Sequence, residues 1–281
     1  MTETPRSQLS LLKSHGIKPV KRRGQNFLLD GNLARAIAAD VLALSPRVLE
    51  LGAGGGALTG PLLEKAEKVV CVEIDRHLCG VLQAEFGDRP AFTLVEGDLA
   101  RLDWDATLAL AGEGPVVAGN LPYVLTSTVL FALAGLRDRI SGGVFMVQKE
   151  VAERMTSTPG GRDYGVLSIL LGSIFAIDTL RPVPRDVFWP RPDVASAVVR
   201  LVPAQRWTDQ EFARFTAVVR AAFEQRRKKL RSVLRARFGY DQQVAEDLAA
   251  RAGVDPDLRP EQITPPQWRA LATLVSPEGC K

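Results

Sequence analysis

Residues 47–51, Arg47-Val48-Leu49-Glu50-Leu51, run without interruption into Gly52-Ala53-Gly54-Gly55-Gly56-Ala57-Leu58-Thr59. An apolar run that stops at glycines and resumes through Leu62 and Leu63 reads as strand, glycine loop and helix. Glycines let the backbone turn sharply and approach a ligand. The free N–H groups at the start of the next helix favour a negative or polar group. Outward from this unit, further apolar runs end in polar residues: 68–72 before Glu73-Ile74-Asp75, 91–95 before Glu96-Gly97-Asp98-Leu99, and 115–118 before Gly119-Asn120-Leu121-Pro122-Tyr123. Runs at 143–148, 176–180 and 195–202 bring the strands to seven. Helical spacing of Leu33, Ile37, Val41 and Leu44 predicts a helix over 30–44, with Asp30 or Asn32 at its start. The class is α/β, with ligands expected at the carboxyl ends of the strands.

The polar residues at those ends point to one kind of ligand. Glu73 follows the first glycine at close to the roughly 20-residue offset where an acid meets ribose hydroxyls. Asp98 is placed to accept from an adenine amine. Taken singly, each acid is better explained by helix capping or solvation; repeated along successive βα units, they describe a nucleoside. Asn120-Leu121-Pro122-Tyr123 suits a flat heterocycle with an exocyclic amine, because Asn supplies a carbonyl, Pro removes a donor and Tyr offers a stacking face. The alternative for that tetrapeptide is a strand-ending turn with a packed tyrosine. Gly52 to Ala57 also fits the dinucleotide fingerprint of nicotinamide-dependent oxidoreductases. Against that class, Glu50 lies inside the strand, and the chain lacks an obvious histidine or tyrosine-lysine catalyst for hydride chemistry.

Composition narrows the setting. The chain has 281 residues, 46% hydrophobic and 24% charged, enough for one large domain and a small one. Its start is polar, and its longest apolar run, 166–177, is broken by Ser168, Gly172 and Ser173, which argues for a soluble protein. Three cysteines without a C-x-x-C pair fit a reducing cytoplasm, and two histidines give little basis for a metal cluster. A net charge of +4 is only mildly basic, so placement matters more than the sum.

Residues 1–20 show little pattern. Lys18, Lys21, Arg22 and Arg23 then form a basic cluster, read either as a solvated arm or as one facing phosphates. The proline-rich stretch 182–192 is expected to be an extended loop without regular structure. Its Phe188 and Trp189 either pack on the sheet or wall a base pocket opposite Tyr123. Beyond Pro203 the pattern turns helical: one or two helices over 209–238, then helices at 248–254 and 265–274. The run from Arg226 to Arg237 has no acids interspersed, which favours a nucleic-acid backbone over a solvated face. Three regions result: a basic arm at 1–23, a ligand-binding domain at 24–205 and a helical domain at 206–281.

Gly24-Gln25-Asn26-Phe27-Leu28, Glu50-Leu51-Gly52-Ala53-Gly54, Val72-Glu73-Ile74-Asp75, Gly97-Asp98, Asn120-Leu121-Pro122-Tyr123 and Phe188-Trp189-Pro190-Arg191-Pro192-Asp193-Val194-Ala195-Ser196 span most of the chain. In this order and spacing they resemble the ribosomal RNA adenine dimethyltransferases that use S-adenosylmethionine. The resemblance implies a Rossmann-like seven-stranded methyltransferase sheet with a small C-terminal all-helical domain. It implies that Asn26, Leu28 and Gly52 line the methionine side of the cofactor, Glu73 the ribose and Asp98 the adenine, with Gln25, Gly54, Ile74 and Leu99 completing the set and Asn120 where cofactor and base meet. Asn120, Leu121, Pro122, Tyr123 and Phe188 form the expected catalytic group, with Tyr123 and Phe188 stacking on the base. Arg22, Arg23, Arg226, Arg227, Lys228, Lys229 and Arg231 are the expected RNA contacts, and no metal is expected. Leu121 resembles the branch acting on two adjacent adenines of small-subunit RNA; the antibiotic-resistance branch, acting on large-subunit RNA, often carries Ile there. Arg23 departs from the family, which often has an aromatic residue at this point. The expected setting is a monomer acting on small-subunit RNA in a pre-ribosomal particle in the cytoplasm. The rivals are the large-subunit enzyme, a DNA adenine methyltransferase, and an assembly factor that binds the cofactor without catalysis.

Overall fold

The computed structural model describes residues 7–20, 24–122 and 124–276. They form two compact units: one holds the residues up to Ala152 together with Ile177–Pro203, and the other holds Glu153–Ala176 and the chain from Ala204 on. The segment Glu153–Ala176, which the sequence reading kept in the ligand-binding domain, thus clusters with the carboxyl-terminal helices.

The first unit begins with helix α1 (Gln8–Ser14), strand β1 (Phe27–Leu28) and helix α2 (Gly31–Leu42). Asp30 caps α2 by accepting from the N–H groups of Asn32 and Leu33, as its position before the apolar periodicity implied. There follow β2 (Arg47–Leu51), α3 (Thr59–Leu63), β3 (Lys68–Glu73), α4 (Arg76–Phe86), β4 (Phe92–Glu96), α5 (Trp104–Ala111), β5 (Val116–Asn120), α6 (Thr126–Gly135) and β6 (Gly142–Gln148). After α7 (Lys149–Met155) and α8 (Val166–Gly172) come β7 (Phe175–Val183), β8 (Phe188–Trp189) and β9 (Ser196–Pro203).

The seven-stranded sheet has the order β4-β3-β2-β5-β6-β9-β7. Strands β4, β3, β2, β5 and β6 pair in parallel, and β9 pairs antiparallel to β6. The inner parallel strands β3, β2, β5 and β6 are buried on both faces, so they read as runs of apolar residues, whereas the edge strand β4 buries only Phe92. Strand order reverses between β2 and β5, where Glu50 lies opposite Ala118, and a ligand crevice opens at such a switch point. Under α2 and α3 the core joins Ile37, Val41, Leu62, Val69, Val116 and Val144.

Two expectations for this unit are corrected. The proline-rich stretch is not wholly irregular, because Arg185–Val187 forms a 3-10 turn and β8 pairs antiparallel with β1 in a separate two-stranded sheet. The first segment also has structure. Helix α1, capped by Ser7, packs Leu11 and Leu12 into a cluster with Ile17, Phe27, Leu78 and Val81. The helix is less than two turns long, too short for a periodic signal to register.

The second unit packs α8 with α9 (Asp209–Phe223), α10 (Leu230–Phe238), α11 (Gln242–Arg251) and α12 (Pro265–Leu274) around Phe215, Leu230, Val233 and Trp268. Thr208 and Glu211 form a capping box at the start of α9, as Thr264 and Gln267 do at the start of α12. The basic run over 209–238 is two helices. The first N–H groups of α10 are taken by backbone carbonyls of another segment, Leu230 donating to Leu258 at 2.7 Å and Arg231 to Pro256 at 3.0 Å, so the break is set by tertiary contacts.

Candidate active site

A cleft of about 250 Å³ opens at the switch point of the first unit. Its floor is the glycine loop after β2. Gly52 and Gly54 have φ of +70° and +58°, a region that favours glycine, and the turn they make lets the Gly54 N–H donate to Glu73 Oε2 at 2.8 Å. Glu73 Oε1 accepts from the N–H groups of Ile74 and Asp75 at 2.9 and 3.0 Å. Burial pushes the Glu73 carboxyl upward, and these three backbone donors offset part of that rise. A carboxylate has about four acceptor directions, so Glu73 keeps capacity for a ligand hydroxyl while bracing the loop.

Glu50 lies beneath, with 2% of its surface exposed. One of its oxygens accepts from Thr59 Oγ1 at 2.7 Å and Cys71 Sγ at 3.2 Å. Desolvation is the largest influence on it and raises its pKa to about 7. Asp98 Oδ1 caps the 3-10 turn of Leu99–Arg101 through the Ala100 N–H at 2.9 Å, and the residue also lines the cleft. Its capping and binding readings are therefore compatible.

Opposite the glycine loop, β5 ends in Asn120. The strand can lie this close to β2 because Gly119 has no side chain: a Cβ there would stand 2.4 Å from the Leu51 carbonyl oxygen. The Asn120 Nδ2 donates to the backbone carbonyl of Asn26 at 2.8 Å, tying the loop to the strap of residues 24–28 that crosses the cleft. That bond fixes the amide, so Oδ1 is the atom left for a ligand, and no described residue donates to it. The Leu121 N–H donates to Met146 at 3.3 Å, and its carbonyl has no hydrogen-bond partner among the described residues. The Pro122 carbonyl is taken by Leu125 N–H at 2.9 Å and by the Thr126 hydroxyl at 3.3 Å.

Twelve of the expected residues meet in this cleft: Gln25, Asn26, Leu28, Gly52, Gly54, Glu73, Ile74, Asp98, Leu99, Asn120, Leu121 and Pro122. Tyr123, Arg22 and Arg23 lie outside the described residues. Phe188 is not a wall of the cleft. Its pairing with Leu28 turns the ring into the core, where it is 4% exposed. Trp189 instead stacks on Phe27, with ring centroids 6.1 Å apart and 30° between planes. Gln8 and Phe27 line the cleft without having been assigned a role from sequence. Gln8 reaches it because α1 docks on the glycine loop, where Gln8 Nε2 donates to the Gly55 carbonyl at 2.8 Å. Among the described lining residues are three carboxylates, Glu50, Glu73 and Asp98, and no Lys, Arg or His. A dinucleotide pyrophosphate would meet no cation among these described residues, whereas a cationic, hydroxyl-bearing ligand meets complementary charge.

In the second unit, the basic run is partly neutralised by acids remote in sequence. Arg226 pairs with Glu261 at 2.5 Å and donates to the Arg162 carbonyl at 2.8 Å. Asp257 takes Lys229 and Arg231 at 3.2 and 3.1 Å, and Glu224 takes Arg237. Exposed Arg227, Lys228 and Arg235 have no ion-pair partner among the described residues. Absence of interspersed acids in the sequence therefore did not mean absence of acids in space.

The family model described as ribosomal RNA adenine dimethylase matches residues 18–274. The chain is 44% identical over 287 residues to ribosomal RNA small subunit methyltransferase A of Anaeromyxobacter sp. (strain K), covering 96% of this chain and 98% of that protein. Among solved structures, a dimethyladenosine transferase from Plasmodium falciparum aligns with a TM-score of 0.76 at 22% identity, covering 87% of this chain and 95% of that one. The 23S rRNA methyltransferase ErmE aligns with a TM-score of 0.67 at 26% identity, covering 89% and 99%.

Proposed function

The chain belongs to the ribosomal RNA adenine dimethylase family, and we propose that Asn120 and the Leu121 carbonyl are the groups that orient its target amine. The enzyme uses S-adenosylmethionine to dimethylate N6 of two adjacent adenosines in small-subunit ribosomal RNA during ribosome maturation. The cleft, whose described lining carries carboxylates and no cation, fits this cofactor, which is a sulfonium with ribose hydroxyls and an adenine amine. Asn26, Leu28, Gly52 and Gly54 would hold its methionine end, Glu73 with Ile74 its ribose, and Asp98 with Leu99 its adenine. When bound, it supplies an electrophilic methyl group.

One observation carries the role of Asn120: its Nδ2 is committed to the Asn26 carbonyl, which leaves Oδ1 as an acceptor into the cleft. The lone pair of an adenine N6 amine is delocalised into the ring, so the free base is a poor nucleophile. Two acceptors, Asn120 Oδ1 and the Leu121 carbonyl, grip the amine N–H groups and favour the pyramidal geometry in which the N–H bonds leave the ring plane and the lone pair leaves conjugation. Positioning and exclusion of water then supply the acceleration, and no enzyme-bound covalent intermediate is needed. The target nucleotide must first leave its stack. A monomethylated amine still carries one N–H for an acceptor, so one of the pair can hold it for the second transfer. Pro122 shapes the loop, and Tyr123 is proposed to stack on the base, worth roughly 1–3 kcal/mol.

Of the seven cations expected at RNA, Arg227 and Lys228 are the best supported, since their charges are free to meet phosphate. Arg226, Lys229 and Arg231 would first exchange an internal carboxylate, and Arg22 and Arg23 are proposed from sequence alone. We further propose that the protein works as a cytoplasmic monomer on a pre-ribosomal small subunit; none of the described helices is long and apolar enough to cross a membrane. The test offers labelled S-adenosylmethionine to separated unmethylated small and large subunits and maps the label. Dimethyladenosine at two adjacent positions of the small-subunit RNA is expected. Label confined to the large subunit would overturn the reading, and no transfer to either would favour the non-catalytic assembly factor.

A further inference from the structure

We infer that Gln25 is a positioning residue for methyl transfer, acting by holding the Asn26 carbonyl against the Asn120 amide. This rests on the role proposed for Asn120. The strap pairs with β8 only at Phe27 and Leu28, so residues 24–26 extend past the last ladder pairing. The carbonyl that fixes Asn120 sits on that unpaired end. What anchors it is the Gln25 side chain, whose Oε1 accepts from the Val20 N–H at 2.9 Å and whose Nε2 donates to Asp75 Oδ2 at 3.3 Å. Asp75 is a firm post. It is 9% exposed, its Oδ1 caps α4 through the His77 N–H at 3.0 Å, and its own N–H is held by Glu73 Oε1 at 3.0 Å.

A line of hydrogen bonds therefore runs from Glu73 through Asp75 and Gln25 to the strap, and from the Asn26 carbonyl to Asn120. Gln25 was expected among the cofactor contacts. Both ends of its amide are instead engaged by the protein, which gives it the work of a tether. Its consequence is chemical: a primary amide has an acceptor and a donor of nearly the same shape. Only the Asn26 carbonyl decides which of them faces the target. If the strap drifts, Asn120 turns freely between two orientations, and in one of them it presents N–H groups to the N–H groups of the adenine amine.

The experiment is a double-mutant cycle. Gln25→Ala and the bulkier Gln25→Leu are each made alone and with Asn120→Ala, and single-turnover methyl transfer to unmethylated small subunits is measured at saturating cofactor. Cofactor affinity and melting temperature are measured beside it. Each Gln25 variant should lower the transfer rate roughly ten-fold while leaving cofactor affinity unchanged, in line with the rate lost when reacting groups are misplaced by less than 1 Å. In the Asn120→Ala background the same substitution should have almost no further effect, since interacting residues fail to add. Equal losses in both backgrounds, a loss that tracks cofactor affinity, or variants that do not fold would each overturn the positioning role. If Asn120→Ala alone proved fully active, the reading of Asn120 would fail instead, and the two failures are thereby told apart.

Discussion

Replacing Asn120 with alanine separates structural from chemical work at the centre of the site. The substitution removes one half-buried hydrogen bond, from Nδ2 to the Asn26 carbonyl at 2.8 Å. Such a bond contributes about 0.5–1.5 kcal/mol to stability. At about 2–4 °C per kcal/mol for a domain of this size, the melting temperature should fall by only a few degrees. The rate should fall much further. Losing one preorganised polar group at a reacting centre costs about 10²–10³ in rate, or about 2.7–4 kcal/mol. The residues proposed to hold the cofactor, Glu73 braced by three backbone N–H groups and Gly54 among them, are untouched, so cofactor affinity should stay near that of the unaltered protein. Single-turnover transfer of labelled methyl into unmethylated small subunits, with equilibrium dialysis of the cofactor, measures both quantities. A rate within about ten-fold of the unaltered enzyme would refute the reasoning, because loosening of the strap would then account for the whole loss. So would a deficit that higher cofactor concentration repairs.

Other outcomes follow from the same geometry. Glu50 has its pKa raised from 4.5 to about 7, so folding favours its protonated form. Stability from this group is complete below about pH 4.5 and is lost as pH rises through about 7, an effect on the order of 3 kcal/mol. Glu50→Gln should flatten denaturant-measured stability across that window, and an unchanged slope would show that other groups set it. Gly119→Ala would drive a Cβ to 2.4 Å from the Leu51 carbonyl oxygen and should cost about 1–3 kcal/mol in thermal or denaturant unfolding. Wild-type stability there would mean that β2 and β5 have room to part. Removing the charge of Arg227 or Lys228 should reduce the salt slope of RNA binding by about one each. Arg231→Ala should change that slope less, because Asp257 already holds its guanidinium; equal slopes for all three would show that the internal pair opens on RNA.

Much of the site was legible because its residues are tied to strand ends. A run such as Lys68–Glu73 is apolar where it is buried on both faces and turns acidic where it leaves the sheet, so position along the strand also locates the crevice. Glu73, Asp98 and Asn120 were found in this way, and the cleft contains all three. Gln8 was hidden because its helix is short and its partner, the Gly55 carbonyl, lies 47 residues away. The burial of Phe188 and the ion pairs within the basic run went unread for a related reason: local composition says which groups are present and is silent on what the fold brings to them.

The sequence by itself determined the α/β class, the strand ends that carry the site and the family, since hydrophobic period and motif spacing are local properties of the chain. Tertiary structure alone decided which atom of the Asn120 amide faces the cleft, that Phe188 is in the core, that α10 begins at Leu230, and which cations near Arg226 stay unpaired. Each of these depends on a partner far along the chain, the Asn26 carbonyl, Leu28, the Leu258 carbonyl and Asp257 or Glu261, and on an approach of a few ångströms that no spacing encodes.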